Sequence, residues 1–144
     1  MVTWDSVDGE VSFDVVSKIE RELGVKLPDD FVGCARINSG GYPSLEAFDF
    51  EGREEAVFNR LLSFHAESKD YIVKVYNDIR DRLVEGVYPF ADDPFGNHIC
   101  FDYRESKDNP KVVFWDHEVA YEDPEKAITP VCDSFTELLN KLYD

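Results

Sequence analysis

The chain of 144 residues carries 31 acidic side chains against 15 Lys plus Arg, and its formal net charge at pH 7 is −16. That charge repels nucleic-acid phosphates and anionic membrane surfaces, so neither is expected as a partner, whereas a cationic protein is attracted. A hydrophobic content of 43% and an aromatic content of 14% exclude an intrinsically disordered chain. The alternative is an acidity that serves solubility alone.

The cysteines and the N-terminus bear on cellular location. Cys34, Cys100 and Cys132 are widely spaced and form no CxxC pair, which argues against a zinc knuckle and favours free thiols in a reducing compartment. The N-terminal sequence MVTWDSVDGE has acids where a secretory signal needs a basic start and an apolar run. No stretch approaches the ~20 apolar residues of a membrane span. A cytoplasmic protein is therefore expected.

Two helices are predicted in the first third of the chain, after a loose lead-in. Ser12 can cap a helix that runs to about Leu23, because apolar residues recur there every three or four positions. Gly24 follows as a residue that favours helix termination. Pro28 suits the first turn of a second helix, and the sequence Asn38-Ser39-Gly40-Gly41 ends it.

The middle of the chain gives weaker signals. Ala47–Phe50 is predicted as a short strand, and Glu51–Glu55 as a charged turn. The mixed periodicity of Val57–Phe64 fits a strand or a helix equally well. Ser68 can cap a third helix that runs from Lys69 to about Leu83.

Three strands separated by polar turns are predicted in the second half. They cover Val87–Ala91, Asn97–Tyr103 and Lys111–Asp116. A surface loop is expected at 122–125. A final helix to Tyr143 follows, capped by Asp133 or Ser134, and Ser134 with Glu137 fits a capping box.

Helices at both ends of the chain surround this run of short strands. That order predicts an α+β fold in a single domain covering residues 1–144, with a core of roughly 12–142. The sheet is expected to be mainly antiparallel, with helices packed around it.

One cluster of side chains could carry chemistry. Asp116-His117-Glu118 lies one strand away from His98 and Asp102, and histidines with carboxylates can bind a metal or move protons. Neighbouring residues on a strand point to opposite faces, however, so a solvated edge, or Asp116 bonded to a backbone amide, is favoured. No catalytic residue, metal or cofactor is therefore predicted, and a hydrolase that uses His117 is the lesser hypothesis.

Acidic side chains form two groups that could instead contact a basic partner. One is the pair in the turn after the predicted strand Val87–Ala91, and the other surrounds Tyr121. Carboxylates bind lysine and arginine without any special pKa, and an aromatic ring beside acids is typical of surfaces that bind arginine. The predicted partner-binding residues are Asp92, Asp93, Asp116, Glu118, Tyr121, Glu122 and Asp123.

Five segments carry a family resemblance in their order and spacing. They are IERELGVKLPDDF (19–31), NSGG (38–41), YPFA through GNHICFDY (88–103), VVFWDHE (112–118) and SFTELL (134–139). Together they resemble the SMI1/KNR4 family of the SUKH superfamily over roughly residues 12–142. Residues 46–83 carry no clear signature, as in a variable region.

The resemblance implies an α+β fold, a mixed sheet with helices around it, and a binding role without known catalysis. Many bacterial members are similar to immunity proteins, which protect a cell from a secreted toxin, and other members resemble regulatory interaction proteins. The favoured hypothesis is an immunity protein that binds a basic toxin, with a nuclease as the favoured class, through an acidic surface. The alternative is a regulatory adaptor without a toxin partner. Neither hypothesis fixes an oligomeric state.

Overall fold

The structure, a computed structural model, describes residues 2–144 and contains five α-helices, one 3₁₀ turn and nine strands within that range. In chain order the elements are β1 (Trp4–Asp5), α1 (Phe13–Leu23), α2 (Asp29–Asn38), β2 (Tyr42–Pro43), β3 (Ala47–Phe50), β4 (Arg53–Val57), β5 (Arg60–Leu61), α3 (Ile72–Ile79), the 3₁₀ turn (Arg80–Arg82), β6 (Val87–Asp92), β7 (His98–Asp102), β8 (Lys111–Trp115), α4 (His117–Glu122), β9 (Ile128–Cys132) and α5 (Phe135–Lys141).

Five of the strands form one antiparallel sheet in the order β5-β6-β7-β8-β9. At its centre Ile99 lies opposite Phe114, and Cys100 lies opposite Val113. Two short antiparallel pairs, β1 with β2 and β3 with β4, complete the strand pairing. The predicted α+β fold with a mainly antiparallel sheet is confirmed, whereas the mixed sheet that the resemblance implies is not found, since all pairs of named strands in the described range are antiparallel.

The sheet separates two hydrophobic cores, because successive side chains of a strand point to opposite faces. Ile99 and Phe101 of β7 belong to the larger core, and Cys100 between them belongs to the smaller one. The larger core is centred on Phe31 of α2, which is fully buried. Its ring lies 5.1–5.9 Å, centroid to centroid, from four others, those of Phe64, Phe90, Phe101 and Phe135.

In the smaller core, α4 and the segment around the 3₁₀ turn pack on the sheet. Trp115, at the end of β8, is fully buried there, and its indole Nε1 donates a hydrogen bond of 3.2 Å to the carbonyl oxygen of Arg82. Leu83 and Ala120 are buried in the same cluster. The position of α4 is therefore set by packing on this second face.

The predicted caps of the first and last helices are confirmed. The Ser12 hydroxyl accepts a hydrogen bond from the Val15 amide, and Gly24 ends α1 in the left-handed region with φ of 81°. At α5 the Ser134 hydroxyl accepts from the Glu137 amide, so Ser134 is the cap. The Glu137 carboxylate accepts from the amide of Asp133, the residue before the cap, so the return bond of a capping box is made one residue earlier than the motif prescribes.

The prediction of a charged turn at Glu51–Glu55 is wrong. The turn is confined to Glu51 and Gly52, and β4 begins at Arg53. Gly52 has φ of 87°, which lets the chain reverse within two residues. The sequence of β4 does not show the apolar alternation typical of a strand, because Ala56 is its one fully buried residue and most of its other side chains are charged.

The structure also differs from the predictions in three other segments. The prediction that Ser68 caps the third helix is wrong. The helix starts at Ile72 instead of Lys69, because the Ser68 hydroxyl accepts from the Asp70 amide and holds a turn before the helix. The ambiguous segment Val57–Phe64 contains the short edge strand β5. The final helix stops before Tyr143, whose backbone pairs with that of Ala47. The strands β1, β2 and β9 and the helix α4 have no counterpart in the predictions.

All three cysteines are unpaired thiols, as expected. Cys100 is fully buried, and Cys34 and Cys132 are half-buried. Burial raises the pKa of each thiol. No helix within residues 2–144 combines the length and the apolar character that crossing a bilayer requires.

Candidate functional site

One end of the sheet brings the predicted contact residues together. Because β6, β7 and β8 are antiparallel, the end of β6, the start of β7 and the end of β8 meet there, with His98 opposite both Asp92 and Trp115. We call the β6–β7 turn (residues 92–97) and α4 with its flanking aspartates (residues 116–123) the rim. All seven predicted partner-binding residues lie on it.

The turn and the helix of the rim are bonded to each other. The side-chain oxygen of Asn97 accepts from the His117 amide at 3.0 Å and from the His117 ring nitrogen Nδ1 at 2.7 Å. Gly96 has φ of +92°, and a Cβ at that position would lie 3.1 Å from the His117 ring. The close approach therefore requires glycine, and it fixes the turn against the first residue of α4.

Asp93 shapes the turn from inside. It is 5% exposed, and its carboxylate accepts hydrogen bonds from the amides of Phe95 and Asn97 and from the side-chain amide of Asn97, at 2.8–2.9 Å. These contacts leave Asp93 with little surface for a partner. The same turn directs Phe95 outward, where 65% of that residue is exposed.

Asp92 is also engaged within the protein. One of its carboxylate oxygens accepts from the Asn59 side chain at 3.1 Å and from the Arg60 amide at 3.2 Å. Burial raises the pKa of Asp92 to about 6, against the lowering effect of these hydrogen bonds, and the nearby Asp70 carboxylate raises it further. Asp92 therefore holds β5 against β6 and has a reduced preference for the charged form.

The two aspartates that flank α4 act as local hydrogen-bond acceptors. Asp116 is the N-cap, and its carboxylate accepts from the amides of Glu118 at 3.0 Å and Val119 at 3.3 Å. This is the backbone contact that the sequence favoured for Asp116. Asp123 accepts from the Glu125 amide at 3.1 Å. Asp116 and Asp123 are half-buried, so part of each carboxylate remains accessible.

The remaining three predicted residues project from α4 into solvent. Glu118 and Glu122 are exposed, and neither forms an ion pair within residues 2–144. Tyr121 is 71% exposed, and the guanidinium carbon of Arg82 lies 4.5 Å from the centre of its ring. Ala120 is the buried residue of this helix, so its two glutamates lie on the outward side.

A cavity of about 290 Å³ borders the other side of α4. Val119 of the helix and the N-cap Asp116 line it together with Phe50, Arg53 and Phe114 from the neighbouring strands. The exposed helix therefore has Tyr121 on one flank and a concave surface on the other.

The histidine cluster considered as a catalytic or metal site is dispersed. Asp102 lies at the opposite end of β7 and binds the Arg104 guanidinium at 2.8–2.9 Å. His98 packs against Trp115, and burial lowers its pKa to about 4, so it is neutral at pH 7. Its Nδ1 is buried without a hydrogen-bond partner in the described part of the chain. Residues 2–144 contain no group of three His, Cys, Asp or Glu side chains arranged to hold a metal ion.

Sequence reasoning missed Phe95 of the rim and Arg82 beside the rim. Phe95 stands between Pro94 and Gly96, a context typical of a tight turn, and an aromatic ring there is expected to project from the surface. Arg82 gives no such signal, since its contact with Tyr121 joins elements that are 39 positions apart and depends on how the second core packs.

The structure is thus an antiparallel sheet with helices around it and an acidic and aromatic rim at one end. Comparison of the chain with known protein families identifies the class to which it belongs. The chain belongs to the SMI1/KNR4 family: the SUKH_6 family model, described as SMI1-KNR4 cell-wall, matches residues 14–139. This confirms the resemblance seen in the sequence.

A relative in Bacillus subtilis (strain 168) is similar along most of its length. It is the SPbeta prophage-derived uncharacterized protein YokK, 26% identical over 147 aligned positions, which cover 90% of this chain and 73% of the relative.

Proposed function

We propose that this protein is an immunity protein that binds a secreted bacterial toxin through the rim and neutralises it without covalent chemistry. Its membership of a family that includes immunity proteins supports the proposal at the level of class. The proposed toxin is basic, with a nuclease as the favoured class, because such an enzyme carries positive charge to hold phosphates. The proposed place of action is the cytoplasm.

The observation that carries the proposal is the electrostatics of α4. Glu118 and Glu122 are four positions apart on a helix, where like charges repel each other. Glu122 and Asp123 also place negative charge at the helix C-terminus, where the helix dipole disfavours it. Within the described residues no ion pair relieves either glutamate. A cationic partner would relieve both effects.

In the mechanism we propose, charge determines the association rate and contact area determines the lifetime of the complex. The net charge of −16 steers a basic toxin toward the protein and raises the association rate. Contact with the exposed aromatic and apolar side chains of the rim sets how long the complex lasts. When the toxin is a nuclease, the rim carboxylates compete with nucleic-acid phosphates for the same basic groups.

Protection of cells tests the proposal. An immunity gene is expected to lie beside the gene of its toxin, so the candidate toxin domain from that position is expressed in a susceptible host. It is expressed with the wild-type protein or with the double variant Glu118→Lys/Glu122→Lys. The wild type is expected to restore growth, and the double variant is expected to reduce the protection by at least about tenfold, because it places like charges against the partner.

A matched control has the same change in net charge at the opposite end of the sheet. Asp108 and Asp133 are exposed acids there, and Asp108→Lys/Asp133→Lys is expected to keep most of the protection. Failure of the wild type to protect would reject the proposed function and favour a regulatory adaptor. Equal loss in the two double variants would show that total charge, and not the rim, is responsible.

A further inference from the structure

Six contacts between an arginine and an aromatic ring occur among the described residues, and in two of them the arginine also has a counter-ion within the protein. The guanidinium over Phe13 belongs to Arg36, which is also ion-paired with Glu10 at 2.9 Å and bonded to the Val11 carbonyl. The guanidinium over Tyr42 belongs to Arg60, which is ion-paired with Asp70 at 3.2 Å. In both cases the protein supplies the arginine and its counter-ion, so the interaction is complete.

Tyr121 differs from these rings by its counter-ion-free arginine, and it differs by its exposure from Phe114 and Tyr76, which are buried or half-buried under arginines that likewise form no ion pair in the described part of the chain. Its partner Arg82 forms no ion pair within residues 2–144 and lies between two rings, 5.5 Å from Trp115 and 4.5 Å from Tyr121. Since 71% of Tyr121 stays exposed although Arg82 covers one face of the ring, its other face is open to solvent. Glu118 is one helical turn away from Tyr121, and Glu122 is its neighbour in the chain.

An open aromatic face beside two carboxylates without cations matches one chemical group closely. A guanidinium is planar, stacks on aromatic rings and binds carboxylates through two parallel hydrogen bonds, whereas an ammonium is more strongly hydrated and offers no flat surface. The ring face and the carboxylates together are complementary to arginine in shape and in charge. Lysine satisfies only the charge.

We propose that Tyr121 is the anchor for an arginine side chain of a basic partner protein, which stacks on the free face of the ring and pairs with Glu118 or Glu122. The tyrosine ring then lies between two guanidinium groups, Arg82 of this protein and the arginine of the partner. This inference rests on the proposed function for the identity of the partner, and it adds the side chain that the rim recognises.

Two peptide probes test the inference without the toxin. Hexa-arginine and hexa-lysine peptides are titrated into the 15N-labelled protein, and the dissociation constants are taken from the shifts of the α4 amides. The arginine peptide is expected to bind about two- to fivefold more tightly than the lysine peptide, the ratio that corresponds to an exposed cation–π contact. Tyr121→Ala is expected to abolish that preference, and Tyr121→Phe is expected to retain it.

Phe13→Ala is the matched control, because Phe13 is 66% exposed and also stacks with an arginine of the protein. It is expected to leave the preference for arginine unchanged. Equal binding of the two peptides to the wild type, or an unchanged preference in Tyr121→Ala, would overturn the inference.

The toxin experiment separates this inference from the proposed function. Protection by the wild type that Tyr121→Ala leaves intact would reject the anchor and keep the immunity function. A preference for arginine at Tyr121 in a protein that fails to protect would keep the anchor and reject the immunity function.

Discussion

The acids of the rim have two different roles at the level of single residues. The carboxylates of Asp92, Asp93 and Asp116 accept hydrogen bonds from nearby amides and hold the local backbone. Those of Glu118 and Glu122 have no such contacts and no ion pair among residues 2–144. The glutamates are therefore the more accessible groups for a partner, and the aspartates mainly position them.

Asp92 and His98 predict an unusual dependence of stability on pH. The pKa of Asp92 rises from 3.8 to about 6 on folding. Its contribution to the stability of the folded state is therefore fully present below pH 3.8 and is lost as the pH rises through 6. The pKa of His98 falls from 6.5 to about 4 on folding. Its contribution to the stability of the folded state is therefore present above pH 6.5 and is lost as the pH falls toward 4. Between about pH 4 and 6 the two groups oppose each other.

Asp92→Asn separates the two contributions. The amide oxygen can still accept from Asn59 and Arg60, and the cost of a half-buried charge disappears. We expect the variant and the wild type to be similar in stability near pH 4 and the variant to be more stable by about 1 kcal/mol at pH 7. Urea unfolding at several pH values measures the difference, with Asp108→Asn as an exposed control. A gain that is the same at both pH values would contradict this explanation.

At the level of elements, α4 is held by its N-cap and by its buried face. Asp116 accepts from two of its first amides, and Ala120 packs in the smaller core. The helix has only six residues and places acids at its C-terminal end, so its own sequence contributes little to its stability. Packing and capping determine whether the rim is presented to a partner.

Two substitutions at Asp116 distinguish its role as the N-cap of α4 from the effect of its negative charge. Asp116→Ala removes the cap, which costs about 1 kcal/mol, and is expected to speed hydrogen exchange at the Glu118 and Val119 amides. Asp116→Asn keeps an acceptor and is expected to leave exchange nearly unchanged while lowering the association rate with a basic partner. Equal exchange rates in the two variants would show that the cap does not hold the helix.

The elements that the sequence predicted well have strong local signals. The helices α1 and α5 carry an apolar stripe and a serine cap, and the strands from Val87 to Trp115 are rich in β-branched and aromatic residues. By contrast, α4 has one buried residue, and β9 contains a proline and has no fully buried residue. Tertiary contacts determine those two elements, so local patterns cannot reveal them.

The candidate site was predictable in position but not in detail. Acids near Tyr121 and in the Asp92–Asn97 turn are visible in the sequence, and both groups lie on the rim. The sequence does not show that Asp93 is buried, because a turn aspartate can accept from its own backbone or face solvent. It also cannot place Arg82 against Tyr121, since that contact joins distant segments.

At the level of the whole molecule, charge and rigidity have separate origins. Two cores on opposite faces of the sheet fix the backbone, and the acids that give the net charge of −16 lie mostly outside them. A rigid surface loses little conformational entropy on binding, and its charge attracts a basic partner from a distance. Association with a basic partner is therefore expected to be fast and to depend on ionic strength.

The association rate with the candidate toxin domain, measured by stopped flow at several salt concentrations, tests the central claim most directly. The rate for the wild type is expected to fall as salt rises toward about 0.5 M, since exposed charges are screened over a few ångströms there. Glu118→Lys/Glu122→Lys is expected to be slower at low salt and to depend less on salt than Asp108→Lys/Asp133→Lys. A rate that is independent of salt, or equal slopes for the two variants, would contradict docking through the rim.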